Sequence, residues 1–411
     1  MVEGAGTLRI VYAGHFLFPY GTASAARIRL LSSGLVSAGA TVKVILTLPF
    51  EPREADAIGE GGYRYQGIDY QSIGLGREAK APLAMRIGPV LREQKQVRSR
   101  LAELLGEFGA DVLVTYTSDA IEGAPMLGAA RECGVRVVGD VVEWHNAFGW
   151  RGGWAHYRAI SHAWQMRVQN WKADGIIGIS SYLCRYYGRR DLPVLRLPTP
   201  SDVRSITPLP IEPHQGRSFR IGYFGTWSDK DGFIDMLEAV RLLRERNRPV
   251  ELWAAGAPHS DRYMRRIRAF LQAHPGLKDS VKLLGRLPQQ ELPETFGRCD
   301  AMILSRPLKR FALAGLPQKV AEYMSLERPV IVTSVGDVPE YVRDGVDGFV
   351  VPPGDAAAVA RAVERLIELP DRGAAMGRSA RLRAQEVFDF RMLGERMLRF
   401  LERVRELPRR G

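Results

Sequence analysis

Cysteine is scarce: the 411-residue chain holds three, Cys133, Cys184 and Cys299, far apart and never in C-x-x-C spacing. An odd number so spaced supports neither a disulfide framework nor a zinc site, and it fits a reducing setting. No apolar run reaches the roughly 18 residues needed to span a bilayer. The opening Met1 to Thr7 lacks a basic segment followed by an apolar core. Neither secretion nor a transmembrane helix is expected, and the expected location is the cytoplasm. Low-complexity tracts and internal repeats beyond a shared strand–helix rhythm are also missing.

What is present is the balance of a soluble globular protein, 45% hydrophobic and 25% charged, which excludes global disorder. At this length one hydrophobic core is not enough, so two domains of about 200 residues each are expected. The net charge of +12 would attract nucleic acid, anionic lipid or phosphorylated substrates, and does not choose among them.

The stretch from Leu8 to Ile179 alternates short β-prone runs with segments of helical periodicity. Strands are expected at Leu8–Ala13, Thr41–Leu46, Val112–Tyr116, Arg136–Val141 and Gly175–Ile179. Between Pro198 and Arg217 lie Pro198, Pro200, Pro208, Pro210 and Pro213, too many for a regular helix or a central strand. The alternation restarts at Phe219. The organisation expected is therefore an α/β protein of two doubly wound, Rossmann-like domains, 1–200 and 218–388, facing a central cleft, joined by a linker over 201–217. Residues 389–411 are expected to form a helix packing back across the first domain.

Ligands of open α/β sheets bind beyond the carboxyl ends of the strands. Four loops there draw attention. Gly14 to Ser24 contains Gly21-Thr22-Ala23-Ser24, small enough for a close backbone approach to a ligand, but no G-x-G-x-x-G fingerprint. A tight turn with Ser24 or Thr22 as helix cap is the other reading. Asp140 to Asn146 leaves a strand end and sets Glu143 and His145 on one side of an extended segment, a pair able to orient a hydroxyl or shuttle its proton. His156 and His162 are read as structural. Gly222 to Gly232 brings Thr226 and Lys230 to a helix N-terminus suited to a diphosphate. Its Asp229-Lys230-Asp231 spells D-x-D, yet Asp231 before Gly232 reads more simply as a helix cap, so no metal is expected there. Thr333 to Glu340 lies beside the last feature.

That feature runs Phe311 to Met324, then Glu327 to Thr333. Gly315 and Pro317 close a loop, and a helix starts near Gln318. Its first-turn N–H groups and dipole favour an anion, and Lys319 adds a charge. Gln318, Lys319 and Glu322 share one face while Val320, Ala321 and Met324 pack. Such a face could meet a phosphate and a polyol together, or be an ordinary surface helix with a Lys/Glu pair.

Together these residues resemble the retaining nucleotide-sugar glycosyltransferases of GT-B fold, glycosyltransferase family 4. Pro317-Gln318-Lys319-Val320-Ala321-Glu322-Tyr323-Met324, Arg328-Pro329-Val330-Ile331, Pro339-Glu340-Tyr341-Val342 and Asp347 to Asp355 carry the match, with the Gly225–Gly232 turn and Gly14–Leu46 in support. The resemblance implies sugar transfer from a UDP- or GDP-sugar to a hydroxyl of a glycan, lipid-linked or small-molecule acceptor, with no cofactor. It implies that Glu322 binds the ribose, that Lys319 or Lys230 and the helix amides stabilise the leaving diphosphate, and that His145 or Glu143 approaches the donor sugar or acceptor. Gly21, Thr226, Gly315 and Leu316 complete the donor contacts. Two positions depart: Ala314 stands where many members have a glutamate, and Thr226 where many have an arginine, so Arg306 or Lys309 could assist.

Residues 50 to 110 match no known pattern. Two alternatives stay open: a GT-B-fold epimerase or hydrolase of nucleotide sugars, and a basic module contacting an anionic membrane or nucleic acid. The patch for the latter would be Arg86, Arg92, Lys95, Arg98 and Arg100 on a helix from Leu83 to Leu105. Nucleic acid ranks low, because aromatic and basic residues do not interleave.

Overall fold

The computed structural model describes residues 7–21, 23–48, 57–58, 62–74, 83–145, 157–210 and 216–408, the side chains of 83–91 and 289 excepted. Thr22, Asn146, His156, Pro213 and the side chain of Arg86 therefore lie outside the described residues. The chain divides into two compact units, residues 1–200 with 390–411, and residues 201–389.

In the first unit β1 (Arg9–Gly14), α1 (Ala23–Ser37) and β2 (Thr41–Leu46) open the chain, followed by β3 (Tyr63–Tyr65) and β4 (Ile68–Ser72). Then come α2 (Leu83–Phe108), β5 (Val112–Tyr116), α3 (Ala120–Cys133), β6 (Arg136–Val141), α4 (Tyr157–Trp164), β7 (Gly175–Gly178), α5 (Ser181–Tyr187) and β8 (Val194–Arg196). The eight strands form one sheet in the order β3-β4-β2-β1-β5-β6-β7-β8. All pairs are parallel except β3 with β4, a hairpin turned at Gln66-Gly67. The central strands are mainly apolar, as suits strands covered on both faces: Ile10, Val44, Val112, Val138 and Ile177 are all buried. The helical run from Tyr157 does not stay α: it widens to a π-helix over Gln165–Gln169 and tightens to 3-10 over Asn170–Lys172.

In the second unit the order is β9 (Phe219–Phe224), α6 (Phe233–Glu245), β10 (Val250–Ala255), α7 (Asp261–Ala273), β11 (Val281–Gly285), α8 (Leu292–Gly297) and β12 (Ala301–Leu304). After these follow α9 (Arg310–Ala314), α10 (Gln318–Ser325), β13 (Val330–Thr333), α11 (Val338–Tyr341), β14 (Gly348–Val351), α12 (Ala356–Glu368) and α13 (Ala374–Phe388). Six parallel strands run β11-β10-β9-β12-β13-β14. The strand order reverses at β9, whose neighbours are β10 and β12, and such a switch point opens a crevice at the strand ends.

The last helix, α14 (Phe390–Glu406), belongs to the first unit. Its Leu393, Met397, Phe400, Leu401 and Val404 join the core beneath the first sheet. It approaches α1 where both helices have glycine: a Cβ on Gly34 would lie 2.2 Å from the Phe390 carbonyl oxygen. Side chains at this crossing would hold the two backbones apart.

Candidate functional site

In the second unit the geometry begins with α10. Val320, Ala321, Tyr323 and Met324 are buried. The Tyr323 hydroxyl accepts the Phe224 N–H at 3.1 Å and faces the Phe224 carbonyl oxygen at 3.3 Å. This pins α10 to the carboxyl end of β9, the switch point. One residue on, Gly225 takes a φ of +147°, and Lys319 lies along its backbone: a Cβ there would come within 2.1 Å of Lys319 Cε. The glycine is favoured by its own conformation, and it leaves room for the lysine's path.

Lys319 Nζ reaches Asp231 Oδ2 at 2.9 Å. The same oxygen accepts the Tyr223 hydroxyl at 3.0 Å, and Arg306 Nε stands 3.9 Å from Oδ1. Burial opposes the Asp231 charge, but Lys319, Arg306 and the hydrogen bonds hold its carboxyl below the usual range. The expectation that Asp231 caps α6 is corrected here. The cap is Gly232, without a side-chain bond, because the Asp231 side chain turns inward to the cations. Asp229 turns outward to Arg266 at 2.8 Å, so the two carboxylates of the D-x-D string part company.

Glu322, on α10, is half-buried, and its carboxylate makes no hydrogen bond among the described residues. Burial raises its carboxyl pKa, against the pull of Lys319. Thr226 and Lys230 are exposed in the turn, where the Thr226 carbonyl oxygen accepts the Tyr223 hydroxyl at 2.8 Å. The Lys230 carbonyl oxygen is 3.5 Å from Arg306 Nε. The irregular loop expected before α10 is corrected to a one-turn helix, α9, and Gly315 ends it by donating its N–H to the Phe311 carbonyl oxygen at 3.1 Å. That amide is thus committed within the chain, while Leu316 is buried beside it.

In the first unit Glu143 and His145 follow β6, with His145 Nε2 at 3.1 Å from Glu143 Oε2. The His145 N–H donates to His162 Nε2 at 3.0 Å, and His162 Nδ1 faces the Ser118 carbonyl oxygen at 2.7 Å. With Nε2 accepting and Nδ1 donating, the buried His162 ring is neutral, and burial lowers its pKa accordingly. Ser118 donates its N–H and hydroxyl to Glu122 Oε2, both at 3.0 Å, and His15 Nε2 is 3.8 Å from Glu122 Oε1. His15 directly follows β1 and Glu122 lies in the first turn of α3, the helix that follows the neighbouring strand β5, so this second imidazole–carboxylate pair belongs to the same strand-end region. Sequence reading misses both, although His15 closely follows an expected strand and Glu122 opens the helix after another. Gly21 is exposed between β1 and α1, and Ser24 lies inside α1.

Beneath this region Arg27 donates to both Asp140 oxygens, at 2.9 and 2.8 Å, and to the Pro198 carbonyl oxygen at 2.9 Å. The Tyr12 hydroxyl also donates to Asp140. All three side chains are buried. On α2 two members of the expected basic patch have acidic partners: Arg98 pairs with Glu132 across Gly128 of α3, and Arg100 pairs with Glu103 at 2.5 Å. Among the described residues no helix is long and apolar enough to cross a membrane.

Residues 218–369 match the family described as Glycosyl transferases group 1. The chain is 24% identical over 215 residues to the amylovoran biosynthesis glycosyltransferase AmsK of Erwinia amylovora, a match covering 50% of this chain and 52% of that protein. It is 23% identical over 316 residues to the GDP-mannose-dependent monoacylated alpha-(1-6)-phosphatidylinositol monomannoside mannosyltransferase of Corynebacterium glutamicum, covering 74% and 79%. The first curated relatives are matched over only 25% to 52% of their own length. The crystal structure of the Anabaena protein HepE in complex with UDP and glucose has the same fold, with a TM-score of 0.68 at 16% identity over 96% of this chain and 99% of that one. The family match opens one residue before β9 and closes one residue after α12, so the second unit resembles the group 1 glycosyl transferases, and the chain has the GT-B fold.

Proposed function

We propose that the chain transfers a sugar from a nucleotide-diphosphate sugar to a hydroxyl of a glycan, lipid-linked or small-molecule acceptor, with retention of configuration and without a metal ion. The observation that carries this reading is Lys319 beside Gly225 at the end of β9, with Glu322 one turn further along the same helix. Lys319, the first-turn amides of α10 and Lys230 stabilise the diphosphate as it leaves, which is where electrostatic catalysis gains most. Glu322 accepts the ribose hydroxyls. Thr226 and the backbone at Gly315 and Leu316 line the donor. The donor is a UDP- or GDP-sugar, because HepE was solved with UDP and the mannosyltransferase relative depends on GDP-mannose. AmsK, named for amylovoran biosynthesis, supports a role in polysaccharide assembly.

A thermal-shift panel of UDP, GDP, ADP and their sugars identifies the nucleotide, since a specific ligand stabilises the state it binds. Glu322→Ala and Lys230→Ala should then abolish transfer in folded protein, with turnover of the parent unchanged by EDTA. Full turnover by both variants overturns the assignment. Donor consumed with no acceptor present points instead to a hydrolase or epimerase.

A further inference from the structure

Asp231, a helix cap by its local sequence, is instead buried, 5% exposed, at the centre of a cluster drawn from three separate stretches of the second unit. Tyr223 comes from β9, Arg306 from the end of β12 and Lys319 from α10, and all three point donors at one carboxylate. Lys319 spends one ammonium hydrogen on Asp231 and has no other hydrogen-bond partner among the described residues. An ammonium has three hydrogens, so two remain for a ligand. Its side chain is 22% exposed, against 7% for Asp231, so it is the member of the pair that meets solvent.

We infer that Asp231 is a positioning residue of the donor site: its carboxylate, aligned by the Tyr223 hydroxyl, holds the Lys319 ammonium over Gly225 with two hydrogens left for the diphosphate. A lysine stem is flexible, and the place of its charge must be fixed by something else. Here the stem passes close over the Gly225 backbone and Asp231 fixes the head. The hold acts through Lys319, without contact between Asp231 and the substrate. It rests on the glycosyltransferase reading only in naming the anion as a nucleoside diphosphate.

The test follows Lys319 itself, by mass-spectrometric measurement of its labelling with a small amine-reactive reagent, with Lys278 and Lys282 as internal standards. In the parent protein Lys319 should label slowly, and more slowly still with UDP or GDP. Asp231→Asn should raise its rate about tenfold or more relative to the standards, because a charge-assisted hydrogen bond to the ammonium is lost. Tyr223→Phe, which keeps the carboxylate and removes the hydroxyl shared between Asp231 and the Thr226 carbonyl oxygen, should give a smaller rise, and it serves if the Asn variant does not fold. A merely structural Asp231 would change all three lysines together. Nucleotide protection with no selective rise in either variant overturns the positioning role and leaves the donor reading standing. A selective rise with no protection by either nucleotide overturns the donor reading, and the role of Asp231 in it as well.

Discussion

The ring of His162 carries the backbone of His145: one nitrogen accepts the His145 N–H at 3.0 Å while the other is fixed by the Ser118 carbonyl oxygen at 2.7 Å. A histidine that the sequence marks as ordinary thus sets the position of the histidine that it marks as chemical.

His162→Phe fills similar space and removes the hydrogen bonds to the His145 N–H and the Ser118 carbonyl oxygen, each worth about 0.5–1.5 kcal/mol. Because the folded-state pKa of His162 lies below its ordinary 6.5, the unfolded chain binds the extra proton first. Stability from this residue should therefore be fully present above pH 6.5 and decline as pH falls from there toward the lowered value. Urea midpoints at several pH values should show this decline in the parent and its loss in the Phe variant; parallel profiles would refute it.

Removing one member of the Arg27–Asp140 pair strands a buried charge. Asp140→Ala should destabilise the first unit by about 3–5 kcal/mol, while Arg27→Met combined with Asp140→Leu should recover most of that loss. Denaturant unfolding of the two proteins makes the comparison, and equal losses would mean that packing rather than charge dominates at this site.

At the crossing of α1 and α14, Gly34→Ala places a methyl 2.2 Å from the Phe390 carbonyl oxygen unless the helices move apart. Overpacking of this kind costs about 1–3 kcal/mol. The expected sign is earlier proteolytic release of residues 390–406 under native conditions. Unchanged cleavage would show that the helices yield without separating.

The Glu322 carboxyl, raised above its usual 4.5 by burial, should make donor binding sensitive to acid. The ionised form accepts two hydroxyls and is the form present at high pH, so affinity for the nucleotide sugar should fall as pH drops through the raised value. Glu322→Gln should bind more weakly at neutral pH and lack that added slope. Calorimetry on both proteins reads the difference, and superimposable pH profiles would remove Glu322 from the ribose site.

The alternation of strand and helix is legible because the central strands are continuous apolar runs bounded by glycine or polar turns, and that pattern is local. The β3–β4 hairpin is not, since its strands are three and five residues long and tyrosine-rich rather than aliphatic. The π-helical turn at Gln165–Gln169 leaves no mark on a 3.6-residue period. Within the site, Lys319 and Glu322 are visible through helical spacing. Asp231 misleads because its local context, aspartate before glycine before a helix, is that of a cap, while its real partner comes from a helix far along the chain. Some residues that carry the family resemblance serve the fold instead. Arg328, 1% exposed, donates to the carbonyl oxygens of Cys299, Leu209, Gly297 and Glu327, and Asp347 is held by Arg343 and Ser379.

The return of α14 to the first unit sets an order of events during synthesis. Residues 201–389 form a contiguous unit that can close its core as soon as it clears the ribosome, whereas the first sheet must wait for Leu393, Met397, Phe400, Leu401 and Val404. Contacts spanning nearly the whole chain close slowly and leave apolar surface uncovered meanwhile. The amino-terminal half is thus the last to finish, and its exposed underside is where a chaperone would be needed longest.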